Sequence, residues 1–133
     1  MSLSSGARCV PVNPEKIPPA VGTVAPGVEI LGGLGNALTV DLGDSYLQID
    51  TGADAAMAQG MIDRLGAQHK PVQCIAYSHG HLGYNFACPV WLADARALGY
   101  AEPLIVAQDQ AGDLMRLFQR TGPLMELLSM ANS

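Results

Sequence analysis

His79 and His81 stand two residues apart in Tyr77-Ser78-His79-Gly80-His81-Leu82-Gly83-Tyr84, directly after the apolar run Val72 to Ala76. Alternate residues of an extended chain point the same way, so two imidazoles at this spacing can converge on one metal ion such as zinc. Two ligands alone rarely make a catalytic site, because a catalytic zinc usually takes three protein ligands and leaves one position open. His69, the remaining histidine, precedes the strand and reads as a solvated residue of a helix-to-strand linker. Asn85 and Asp94 are further candidates for a third ligand. A plainer reading also stands, in which a strand-end loop carries two histidines bonded to backbone groups.

Cys9, Cys74 and Cys88 are odd in number and contain no Cys-x-x-Cys pair, so neither a disulfide framework nor a zinc ribbon is indicated. Cys74 lies in the apolar strand and reads as a small core residue. Cys88 reads the same way, with its nearness to the histidine loop making it a weaker ligand candidate.

These residues need a frame to hold them. Pro11, Pro14, Pro18 and Pro19 precede any regular pattern, so residues 1–23 read as an extended, Pro-rich N-terminal arm. Val28 to Leu31 is a short strand. Leu38 to Leu42 alternates apolar and polar residues, and Gly43-Asp44 supplies a two-residue hairpin turn into Tyr46 to Ile49. Between Ala53 and Leu65, the residues Met57, Met61, Ile62 and Leu65 fall at helical spacing, and Gly66 stops the pattern. Val72 to Tyr77 reads as a fully buried strand. Pro89 in a first turn, Trp91, Ala95 and Leu98 on one face and Gly99 past the end mark the next helix. Leu104 to Ala107 is another strand. Asp109 can cap a helix carrying Leu114, Leu117 and Phe118 that ends at Gly122-Pro123, and Leu124 to Met130 follow as a short apolar helix. Strands alternating with helices give an α/β (α+β) sheet. Gly32-Gly33-Leu34-Gly35-Asn36 joins two strands and lacks a Lys, so it reads as a tight turn rather than a phosphate loop.

The histidine loop resembles the metal-binding loop of the metallo-β-lactamase-fold hydrolases, where a strand ends in His-x-His-x-Asp-His. The strand pair from Asn36 to Gly52, ending in Asp50-Thr51-Gly52, resembles the same family, as does the helix before the histidine strand. The resemblance sets residues 24–133 against the first half of such a domain. It implies half of an αββα sandwich, a mixed sheet with helices on one face. The other face would be covered by homodimerisation or by a missing C-terminal half. It also implies that His79 and His81 are two ligands of a first site for zinc or another divalent metal, and that Asp50 braces the loop by hydrogen bonds. Gly83 stands where the pattern has Asp and Tyr84 where it has the last His, so the second metal site is lost by this carry-over. In such sites the metal polarises the scissile bond and lowers the pKa of water, while a carboxylate orients that water. Gly83 removes the carboxylate, and hydrolase activity is expected only where a missing half or a partner chain supplies ligands.

Two other functions remain open. One is a non-catalytic, degenerate version of the same fold that serves as a binding or assembly module. The other starts from Asp50-Thr51-Gly52-Ala53, which resembles the signature of retroviral-type aspartic proteases, where two subunits each bring one Asp to a shared proton. Against it, Ala55 to Leu65 is helical in pattern where those enzymes continue in extended chain.

A chain of 133 residues is one domain by length. With 49% hydrophobic and 14% charged residues, it has much surface to bury, and self-association is the first expectation. A net charge of -5, with seven basic residues and none of them clustered with aromatics, argues against nucleic acid or an anionic membrane as partner. No run approaches the ~20 apolar residues of a membrane span, and Met1 to Val10 lacks the pattern of a secretory signal. A cytoplasmic protein is expected.

Overall fold

The computed structural model describes residues 21–32, 36–80, 84–117 and 120. Strands β1 (Val21–Ala25), β2 (Val28–Leu31), β3 (Ala37–Asp41) and β4 (Tyr46–Ile49) form an antiparallel meander. Strands β5 (Val72–Ala76) and β6 (Leu104–Val106) join it in parallel, completing a mixed six-stranded sheet in the order β1 to β6. Helix α1 (Ala55–Leu65) connects β4 to β5, and α2 (Cys88–Ala97) connects β5 to β6. Crossovers between parallel strands are right-handed, so two of them advancing in the same direction lay both helices on one face. The core is correspondingly one-sided. Leu31, Ala37, Val72 and Ile75 of the sheet pack with Ala58, Met61 and Ile62 of α1 and with Cys88 and Trp91 of α2. The mixed sheet with helices on one face is the architecture the sequence predicts.

Local chemistry sets the boundaries. Asp54 caps α1, its carboxylate accepting from Met57 N–H at 2.8 Å, and Gly66 ends the helix at φ 96°, which a side chain rarely adopts. The β3–β4 hairpin turns at Gly43-Asp44, with Leu42 N–H donating to Ser45 O at 2.9 Å and Gly43 at φ 102°. Pro89 sits in the first turn of α2, where no intrahelical N–H bond is missed.

Several expectations are corrected. Val21 to Thr23, placed in the N-terminal arm by the prolines before them, belong to β1. The rest of that arm lies outside the described residues, as do Gly33 to Gly35, Phe118 and the apolar segment Leu124 to Met130. β5 is not fully buried: Val72 and Ile75 are, but Gln73 is exposed and Cys74 is half-buried, because helices cover only one side of the sheet. Cys74 is therefore not in the core, whereas Cys88 is. Residues 111–117 are helical, and the bond at the start of this helix comes from Gln108, whose Oε1 accepts from Gln110 N–H at 3.0 Å.

Candidate metal centre

Asp50 and Ser78-His79 follow two neighbouring parallel strands, β4 and β5, so both loops open at the carboxyl end of the sheet, where ligands bind in α/β folds. Asp50 is the residue on which the loop is built. Its φ of 55° lies in the left-handed region, which costs most side chains about 1–2 kcal/mol but which Asp tolerates. Backbone bonds hold it there. Its N–H donates to Ala76 O at 2.9 Å, and its carbonyl accepts from Gln48 Nε2 at 2.8 Å. Gln48 is fixed in turn by Thr39, whose hydroxyl donates to Gln48 Oε1 at 2.5 Å beneath the helices.

Asp50 is 3% exposed, and its carboxylate reaches both arms of the loop. Oδ1 accepts from Ser78 N–H at 2.9 Å and from Asn85 Nδ2 at 3.1 Å, while Oδ2 accepts from the Ser78 hydroxyl. That hydroxyl has one proton and gives it to Asp50. Its oxygen, 2.8 Å from His79 Nδ1, must then accept from the ring, which fixes His79 as the Nδ1–H tautomer with its lone pair on Nε2. In metal sites, a ligating histidine commonly has its other ring nitrogen tied to a second group in this way.

The far arm is tied down as firmly. Tyr84 O accepts from Thr51 N–H at 3.2 Å and from Gly52 N–H at 3.1 Å, and Trp91 Nε1 in α2 donates to Thr51 O at 3.1 Å. The Tyr84 ring stands edge-on to His79, with centroids 4.5 Å apart and planes at 67°. Beneath them, burial and then the contact with Cys88 push the Tyr77 phenol above its ordinary value of 10.0, so this hydroxyl stays protonated. Beside the loop, an open groove of about 420 Å³ is lined by Gly80, Gln108, Ala111 and Leu114. A Cβ on Gly80 would lie 2.8 Å from Leu114 Cδ2 and 3.3 Å from Ala111 Cα, so glycine is what lets the helix at 111–117 pack against the loop.

The structure brings some of the expected residues together and separates others. His79, Asp50 and Asn85 share one bonded network, and Asn85 Oδ1 is buried with no hydrogen-bond partner among the described residues. His81 and Gly83 lie outside the described residues. Asp94 belongs elsewhere, its Oδ2 2.8 Å from His69 Nε2. His69 is a correction: it is buried, not solvated. The Asp94 carboxylate and the Lys70 carbonyl, 2.7 Å from Nδ1, take the place of water around the ring. Among the described residues no three His, Cys, Asp or Glu side chains gather. Ser78 was not singled out by spacing. The signal for it is its position beside His79, seen only by asking what orients that ring.

No family model matches the chain, and no curated protein matches it. Solved structures do. The metallo-β-lactamase FIM-1 from Pseudomonas aeruginosa superposes with a TM-score of 0.52 at 19% identity, over 78% of this chain and 48% of its own. The metallo-β-lactamase from Hirschia baltica gives 0.51 at 18%, over 74% and 47%. TMB-1 gives 0.52 at 18%, over 80% and 49%. The chain has the metallo-β-lactamase fold. It spans about half the length of these structures. Within the metallo-β-lactamase fold of this chain, the Asp-Thr-Gly loop and the histidine loop are joined by Asp50 itself.

Proposed function

We propose that this chain is a metal-holding half of a metallo-β-lactamase-fold hydrolase, in which His79 and His81 bind one divalent ion, zinc by ligand type. The observation that carries the reading is the Asp50–Ser78–His79 chain of hydrogen bonds, which turns the lone pair of His79 to Nε2 and holds the ring in place. Two imidazoles are a donor set for one ion rather than for a pair. FIM-1 has been solved in a mono-zinc form, which supports a single ion in this fold. When bound, the ion polarises the scissile bond and lowers the pKa of water.

The residues around it restrict what the chain does alone. Gly83 offers no carboxylate to orient water, and the Tyr84 ring packs on His79 where the family pattern has a further histidine. The remaining ligands come from a C-terminal half or a partner chain, and the isolated chain is inactive as a hydrolase. The Tyr84 contact also favours a second reading, a non-catalytic module of the same fold. The aspartic protease reading has no such support. Both Asp50 oxygens accept bonds within their own chain, and Asp50-Thr51-Gly52 runs into α1 rather than into extended chain.

Elemental analysis after zinc loading and gel filtration tests the proposal. The expected result is zinc close to one per chain, lost in a His79→Ala, His81→Ala double variant that keeps its circular dichroism. A folded chain that retains no zinc removes the metal-holding reading and leaves the module.

A further inference from the structure

The register of the sheet separates its residues in an unusual way. Glu29, Thr39, Gln48, Ile75 and Ile105 pair across β2 to β6 in one row, and the middle three are buried under the helices. The rows on either side point to the opposite face. One consists of Val28, Val40, Leu47, Cys74 and Leu104, and the other of Ile30, Leu38, Ile49, Ala76 and Val106. Every residue of both rows is apolar and none is buried. At β6 the exposure reaches 66% for Leu104 and 47% for Val106. The polar pair Thr39–Gln48 lies inside with the apolar core, while the opposite face carries apolar rows where a sheet with one solvated face would show polar residues.

We propose that this face docks a second copy of this chain, sheet against sheet. Two observations select that occupant. The two rows contain no Asp, Glu, Lys or Arg, so two identical faces meet without like-charge repulsion even though each chain carries -5. Six strands spaced about 4.8 Å apart, with about 3.3 Å per residue, give a face of about 400 Å² in projection. A patch of that size marks an interaction surface, and the relief of its side chains brings it towards the ~800 Å² per partner of a standard interface. Two sheets packed about 10 Å apart with strands within about 30° of parallel complete a sandwich with helices on both outer sides. This inference does not depend on the metal.

Light scattering on the full chain at micromolar concentration, with Val40→Lys and Leu47→Lys variants, tests it. Neither residue belongs to the helix-side core, so both variants should keep the secondary structure. The expected result is a mass of two chains for the unaltered protein and of one chain for each variant. A second measurement is maleimide labelling of Cys74 in a Cys9→Ser background, which should slow as protein concentration rises, because dimerisation covers that thiol. A single-chain mass for the unaltered protein, a two-chain mass that survives both lysines, heterogeneous higher aggregates, or labelling of Cys74 independent of concentration would each overturn the proposal.

Discussion

Replacing Ser78 by Ala should separate the two roles of its hydroxyl. The hydroxyl is the one described donor to Asp50 Oδ2 and the acceptor for His79 Nδ1–H. A hydrogen bond to a charged group contributes about 1.5–3 kcal/mol. Asp50 is buried but Ser78 reaches the surface, where water can replace the lost donor, so the low end of that range applies. At roughly 4 °C per kcal/mol for a domain of this size, about 1.5 kcal/mol lowers Tm by roughly 6 °C in chelator-treated protein. The effect on zinc is separate. Loss of the group that orients a ligating imidazole typically weakens metal affinity 10- to 100-fold, about 1.4–2.8 kcal/mol. Competition titration against a chromogenic chelator reads this directly. Ser78→Thr, which keeps the hydroxyl, should recover most of the affinity. If Ser78→Ala binds zinc as tightly as the unaltered chain, or if Thr and Ala lose affinity equally, the hydroxyl does not position His79 and the reasoning fails.

Other perturbations follow from single contacts. Gly80→Ala drives a methyl group against Leu114 and the Ala111 backbone and should destabilise the chain by about 1–3 kcal/mol in urea titration, with Leu114→Ala in the same chain recovering part of the loss. Asp54→Ala removes the cap of α1 and should cost about 1 kcal/mol by the same assay, with Asp54→Ser nearly neutral. The Thr23 hydroxyl and then the Arg64 guanidinium hold Glu29 below its ordinary value of 4.5. Its contribution is therefore present above that value and lost as pH falls through the lowered one, so Glu29→Gln should flatten the acid limb of a Tm-against-pH profile and leave the neutral region nearly parallel.

The architecture was legible because short-range signals agree with it. Asp54 and Gly66 bracket α1, Gly43-Asp44 turns the hairpin, Pro89 opens α2, and the order of strands and helices leaves little choice of topology. Burial was less legible. Val72 to Ala76 is a continuous apolar run, which reads the same whether helices cover one side or both, and only the same-handed advance of β4, β5 and β6 makes the cover one-sided. His69 looked like a linker residue because its partner Asp94 is 25 positions away, and no local pattern predicts that pairing. At the site, the i, i+2 histidines and Asp50 stood out by type and spacing. Ser78 did not, because a serine in a loop carries no signal until the carboxylate and the imidazole it bridges are placed in space.

The most direct test of the account is the protonation pattern of the His79 ring, read from the nitrogen shifts of ¹⁵N-histidine-labelled protein before and after zinc is added. The predicted result is a proton on Nδ1 and none on Nε2 before zinc, with Nε2 alone shifting when zinc binds. A ring protonated at Nε2, or an Nε2 signal that zinc leaves unmoved, would contradict it.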